Sequence, residues 1–274
     1  MNKRTVVSIE VNSLSGLERQ LKTKIDDEKG LFVYRGQKNS NWSLQSAFHR
    51  ICHRANVAAT KRASLYEALL AEFFDENVRL SLFEKDPRNA MHGETINSAE
   101  ALAQHYGLPT RFIDWSRSPY VAAFFAFAGD SSEDMPKRQK CALFALDERK
   151  VLFGVKKSCR LPEHKAARAI MNSSNVNTPH ITLYEKHENP ENRRIRMQVG
   201  TLYSVPLGYN DFEDYMAQNE FPDGTVTRFV IPLRFRTEML AKLRNMLITG
   251  GQLYQAQSYV AIDTQHRFLN TKTR

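Results

Sequence analysis

A chain of 274 residues, 42% hydrophobic and 10% aromatic, carries enough apolar surface for a packed core, which excludes a disordered polymer. Lys and Arg outnumber Asp and Glu by 39 to 30, so a net charge of +9 points toward anionic partners: nucleic acid, a phosphorylated cofactor or an acidic protein. Cys52, Cys141 and Cys159 form no CxxC pair, no apolar run approaches the roughly 18 residues of a membrane span, and the opening MNKRTVVSIEVNSLSG lacks an apolar signal core; reduced thiols, a cytoplasmic location and no membrane are expected.

Along the chain, Thr5 to Val11 alternates as a strand does, and Ser13 opens a short helix toward Leu21. Leu31 to Tyr34 reads as a buried strand that delivers Arg35 to a turn at Gly36. Trp42 and Leu44 are expected to re-enter the core. From Arg62 to Phe83 the helical spacing of Leu65, Leu69, Phe73, Val78 and Leu82 predicts a long amphipathic helix. Lys85 to Glu94 is a loop. Asn97 and Glu100 read as a capping box for a helix that runs to Tyr106 and stops at Gly107 and Pro109.

Thr110 to Trp115 is extended, and Ser118-Pro119 starts a helix, VAAFFAFA, apolar on every side and hence central. A charged surface loop follows from Asp130 to Lys140, then a strand from Cys141 to Leu146. Lys156 to Asn177 is basic, weakly helical and mobile. Ile181–Tyr184, Thr201–Val205 and Thr225–Leu233 read as strands. Thr237 caps a helix to about Leu247, and Gly250-Gly251 leads to a last strand, Leu253–Ile262. Short strands interleaved with helices, without regular alternation, predict one α+β domain over residues 1–274.

Polar residues gather at the ends of these apolar runs, where ligands are usually held. Arg35 can grip a phosphate with both arms of its guanidinium, with Gly36 letting the ligand approach the backbone; equally it can pair with Asp114 inside the protein. His105 faces a ligand or rests on the last carbonyls of its helix. Trp115 is placed to stack on a flat ring, and Ser116 to orient a ligand amide once Ser118 is used as the cap. Asp114 is a candidate acid or base, though a carboxylate holding Arg111 or Arg35 is the favoured role. Arg193, Arg194 and Arg196, followed by Gln198, form either a solvated face or an anion-facing wall. Walker A, GxGxxG, HExxH and GxSxG motifs are all missing, and no Cys and His stand at metal-ligand spacing, so no metal site is assigned.

Tyr34-Arg35-Gly36-Gln37, the block from Gln104 to Arg111 (QHYGLPTR), Asp114-Trp115-Ser116 with Ser118-Pro119, and Arg194 with Gln198-Val199-Gly200 together resemble the FRG domain family, over roughly residues 31–247. More remotely, the order of parts is similar to that of the ADP-ribosyltransferases. That resemblance implies mixed and antiparallel sheets with flanking helices, NAD as substrate and transfer of ADP-ribose to a macromolecule; the surplus charge and the basic runs at Lys156–Arg168 and Arg193–Arg196 favour nucleic acid over protein as the acceptor. It implies that Arg35 holds the diphosphate or ribose and that Ser116 supports the nicotinamide pocket, with Tyr34, Tyr106 and Trp115 as stacking candidates.

Gly36, Gln37, Thr110, Arg111 and Arg194 complete the expected NAD site, and Arg35, His105, Asp114 and Gln198 the expected catalytic set. The late Glu of the transferase pattern falls on Gln198 or Gln257, which cannot supply its charge, so Asp114 is the expected substitute. By analogy, such enzymes include bacterial toxins and anti-phage effectors, which implies an antitoxin partner. A module that binds a nucleotide or nucleic acid without chemistry is the alternative, and a nuclease using Asp114 and His105 a third.

Overall fold

Strand alternation, helix caps and glycine stops place the elements in this order: β1 (Val6–Glu10), α1 (Leu14–Ile25), β2 (Phe32–Gln37), α2 (Ala47–Arg54), α3 (Ala59–Arg79), α4 (Ile96–His105), β3 (Phe112–Ser116), α5 (Pro119–Phe127), β4 (Lys140–Asp147), α6 (Glu148–Ser158), α7 (Glu163–Met171), β5 (Leu183–Tyr184), β6 (Gly200–Ser204), α8 (Phe212–Gln218), β7 (Val226–Pro232), α9 (Arg236–Asn245) and α10 (Gly250–Tyr254). The computed structural model describes residues 5–27, 31–81, 96–128, 140–171, 177–184 and 198–254, with main chain alone at 96–98. The Lys85–Glu94 loop, most of the Asp130–Lys140 loop, Arg193, Arg194, Arg196 and Gln257 lie outside the described residues.

The strands form one mixed sheet of seven, ordered β1-β7-β4-β2-β3-β6-β5. β1 runs parallel to β7, and the other neighbours are antiparallel. Because side chains alternate across a strand, β4 feeds two cores at once. Cys141, Leu143 and Ala145 meet α1, α5 and α9 on one face; Ala142, Phe144 and Leu146 meet α6, α7 and α8 on the other. A third cluster, Phe48, Cys52, Tyr66, Leu70, Phe74 and Ala103, joins α2, α3 and α4.

The helix starts follow local chemistry. Ser13 and Ser118 accept the backbone N–H of Gly16 and Val121, at 3.1 and 3.3 Å, which is the N-cap role expected of each. α4 ends in a glycine stop: Gly107 takes φ +92°, and Leu108 N–H reaches back to the Ala103 carbonyl at 3.0 Å.

Several expectations are corrected. α3 buries Arg62, Tyr66, Leu70 and Phe74; of the expected stripe, Leu69 and Phe73 are half-buried against that core, Leu65 and Val78 are exposed, and Leu82 lies outside the described residues. The buried stripe repeats every four residues and the expected one at steps of four and five, and the choice falls to the neighbours: Phe48 packs on Tyr66 at 4.7 Å, and Arg62 donates to the Tyr209 carbonyl at 2.6 Å. Glu100 closes no capping box, since it is fully buried against Arg111. Thr237 caps nothing; a short 3-10 turn at Leu233–Phe235 leads straight into α9. The helical reading of Lys156 to Asn177 holds as far as Met171, in the end of α6 and in α7, whose Ala166 and Ile170 are core residues. Gly250–Tyr254 is helical where a strand start was expected at Leu253. Leu44 does enter the core, but Trp42 stays 54% exposed.

Candidate functional site

β2 pairs with β4 through every residue from Phe32 to Gln37, yet it pairs with β3 only at Tyr34 and Ser116. Beyond that rung the two strands part, and the sheet opens beside Arg35–Gln37 and Trp115–Asp114. An interrupted ladder leaves main-chain groups without strand partners, and buried ones must find others. Arg35 supplies one, donating Nη1–H to the Asp114 carbonyl at 2.6 Å.

Gly36 is not in a turn; it is a strand residue that faces α5, so its lack of a side chain serves a helix and not a ligand. Arg35 accordingly projects from the middle of a rigid strand. Strand placement fixes it more firmly than a turn would.

The gap widens into a hollow of about 920 Å³. Of the residues expected at a site, it is lined by Tyr34, Arg35, Gly36, Gln37, His105, Asp114, Trp115, Ser116 and Gln198. The YRGQ and DWS segments therefore border one space. A smaller cavity of about 240 Å³ shares Arg35, Gln45, Arg50, Gln104 and Asp114 with it and reaches Thr110.

Arg111 and Tyr106 border neither cavity. Arg111 is fully buried, with Nε and Nη2 donating to the two oxygens of Glu100 at 2.7 and 2.9 Å. Tyr106 is 55% exposed beyond the end of α4, with its ring edge-on to His105 at 5.3 Å. Arg194 lies outside the described residues.

Roles within the hollow also differ from expectation. The Ser116 hydroxyl donates to the Gln198 carbonyl at 2.7 Å and accepts from Ser118 N–H at 3.0 Å, so it braces the corner after β3. Trp115 is 3% exposed and packs against Phe212, which leaves little ring for stacking. The Asp114 carboxylate holds no arginine: Oδ1 accepts from Gln104 Nε2 at 2.8 Å, while Thr110 donates to the same Gln104 side chain. Gln198 precedes Val199, a β-branched residue at φ +47°. That strained backbone starts β6 and carries Gln198 to the rim.

Sequence reasoning placed Trp42 in the core, read Gln104 only as part of the QHYGLPTR block, and passed over Lys38, Asn41, Gln45, Arg50 and Arg54; all seven line the hollow. Arg50 and Arg54 stand four apart on α2, a spacing that reveals one helix face only once the helix itself is recognised. Ser46, whose hydroxyl accepts the His49 N–H at 3.3 Å, was the signal for that helix start.

Arg35, Lys38, Arg50 and Arg54 thus face a space in which Asp114 is the one carboxylate among the described residues. Burial lowers the Arg35 guanidinium from its ordinary value; Asp114 counters this and Arg50 adds to it. Arg50 is lowered by burial and then by Arg54, again against Asp114. Crowded cations of this kind favour a bound anion. Three buried polar atoms around the same space, Arg35 Nε, Gln37 Oε1 and Trp115 Nε1, have no hydrogen-bond partner. Such orphans are costly unless something else meets them. Among the described residues no group of His, Cys, Asp and Glu is arranged to hold a metal ion, and no helix is long and apolar enough to cross a membrane.

The family model of the FRG domain matches residues 30–135, which includes the YRGQ, HYGLPTR and DWS segments and supports the FRG resemblance there. Comparison with curated proteins and with solved structures gives no match.

Proposed function

We propose that the hollow binds NAD and that the protein transfers ADP-ribose from it to a macromolecule. Support comes chiefly from one arrangement: four cations without a carboxylate ion pair among the described residues, set around a sheet gap that also holds orphaned donors and acceptors. A diphosphate meets Arg35 and Arg50 with charge-assisted hydrogen bonds.

Transfer breaks the bond between the nicotinamide nitrogen and the ribose anomeric carbon, with the bonding pair leaving on nicotinamide. The acceptor oxygen or nitrogen bonds to that carbon and releases its proton to solvent water. Positive charge grows on the ribose along the way, and Asp114, with one oxygen on Gln104, has the second free to face it. Gln198 serves as a hydrogen-bond partner for a ribose hydroxyl.

The presence of Gln198 in place of an acid favours a second reading, a module that senses the nucleotide without cleaving it. Calorimetry with NAD, together with an assay for free nicotinamide and for label transferred from adenylate-labelled NAD into DNA, RNA or protein, separates the two. Release that Asp114→Asn abolishes while NAD still binds supports transfer. Binding with no release in any pool supports the module, and absence of NAD binding refutes both.

A further inference from the structure

We infer that the mouth of the hollow grips single-stranded nucleic acid, with Trp42 stacking on one base while Lys38, Arg50 and Arg54 hold the neighbouring phosphates, and that this strand is the acceptor. The acceptor role rests on the transferase reading above; the grip does not.

Trp42 is half exposed, yet the loop that carries it is tied down on both sides. Ser40 N–H donates to the Lys140 carbonyl at 2.9 Å, Gln37 Nε2 to the Ser43 carbonyl at 3.2 Å, and Leu44 N–H to Glu213 at 3.3 Å. The Leu44 carbonyl accepts Phe212 N–H at 3.0 Å, and Leu44 itself is fully buried. An indole presented to water on an anchored loop is pre-organised for a flat partner, because little ordering remains to be done on binding.

Three cations line the same hollow as Trp42. The side chains of Lys38 and Arg54 make no hydrogen bond or ion pair among the described residues, and Arg50 spends one N–H on the Gln45 carbonyl at 2.8 Å. Arg50 and Arg54 sit one helical turn apart, a rise of about 6 Å, on the scale of one nucleotide step. Asn41, Gln45 and Gln104 line the same mouth and can meet base edges. Cations interleaved with an exposed aromatic and carboxamides fit unpaired bases, whose faces stack and whose edges hydrogen-bond. A paired duplex keeps its bases stacked inside and does not offer them to a recess of this kind.

Trp42 and Trp115 are the two tryptophans of the chain, and Trp115 is buried, so quenching of indole fluorescence reports on Trp42. The probe is a mixed-sequence single-stranded oligonucleotide, as DNA and as RNA, titrated at several salt concentrations without NAD; polyglutamate is the control. The expected result is quenching, weakened roughly tenfold to a hundredfold in affinity by Trp42→Ala as followed by oligonucleotide anisotropy. The slope of log affinity against log salt is near −2 for three phosphates, and Lys38→Ala or Arg54→Ala each reduces its size by about 0.7.

Quenching by polyglutamate and not by the oligonucleotide, or strand affinity indifferent to all three substitutions, overturns the inference. NAD cleavage that persists with no strand binding overturns it alone. Strand binding with no NAD cleavage overturns the acceptor role together with the transferase reading, and leaves the grip supported.

Discussion

Gly36 lies flat against the main chain of Ala122: a methyl group on its Cα would come within 1.9 Å of the Ala122 carbonyl oxygen and 2.5 Å of the Ala126 nitrogen. β2 and α5 are therefore in backbone contact, and this contact sets Arg35, one residue earlier, against the parted edge of the sheet. Stability and site geometry meet at one position.

Gly36→Ala tests that contact. The obstruction is backbone on both sides and cannot rotate away, so the expected loss is about 3 kcal/mol or more, at the upper end of overpacking effects. Urea denaturation measures it. A loss below about 1 kcal/mol would mean that α5 can slide off β2 freely.

Arg111 and Glu100 form a bidentate pair with both side chains fully buried. Arg111 also donates to Thr178 Oγ1 at 3.2 Å, tying α4 and β3 to the segment before β5. Glu100→Gln strands a guanidinium in the core and is expected to cost roughly 3–5 kcal/mol. Replacing the pair together, with Glu100→Leu and Arg111→Met, should recover most of that. Chemical denaturation of the single and double variants decides it, and a single variant as stable as the double would refute the pairing account.

Burial, followed by the nearby Arg62, pushes the His49 imidazole down to about 4 from 6.5, and its Nδ1 stands 2.7 Å from Ser46 Oγ. The folded state keeps His49 neutral where the unfolded chain already binds a proton. Its contribution is thus complete above pH 6.5 and is lost as pH falls from 6.5 toward 4, by roughly 3 kcal/mol in all. Stability measured across that window should fall, and in His49→Phe the slope should be shallower. An unchanged slope would place the titration elsewhere.

The anion site has a signature that needs no catalysis. Pyrophosphate or ADP should raise the melting temperature in proportion to the logarithm of concentration once the site is filling, since a ligand that binds only the folded state stabilises it. Arg35→Ala should remove most of this rise, because its guanidinium lines both cavities. A rise of equal size in Arg35→Ala would take Arg35 out of the site.

Much of the fold was legible locally. The strand at Phe32, the helix at Pro119 with its Ser118 cap, the glycine stop at Gly107 and the strands at Lys140 and Val226 each follow from a short pattern in the chain. The YRGQ and DWS segments were also recognisable as belonging together by family likeness, and they do border one hollow. Less legible were α2, too short and polar to show a clear period, and the buried stripe of α3, where two neighbouring apolar stripes compete.

Sequence by itself determined most of the strands and the capped helices, because caps, glycine and alternation act over a few residues; α2 and the helix at Gly250–Tyr254 escaped it. It also determined the surplus of positive charge. Only the tertiary structure decided what that charge and those polar groups do: that Arg111 pairs inside the core while Arg35 faces a gap, that Ser116 braces a corner, and that Trp42 stays in water beside Arg50 and Arg54. Partners lying tens of residues apart in the chain are chosen by how the sheet parts and how the helices pack, and neither is written in any local pattern.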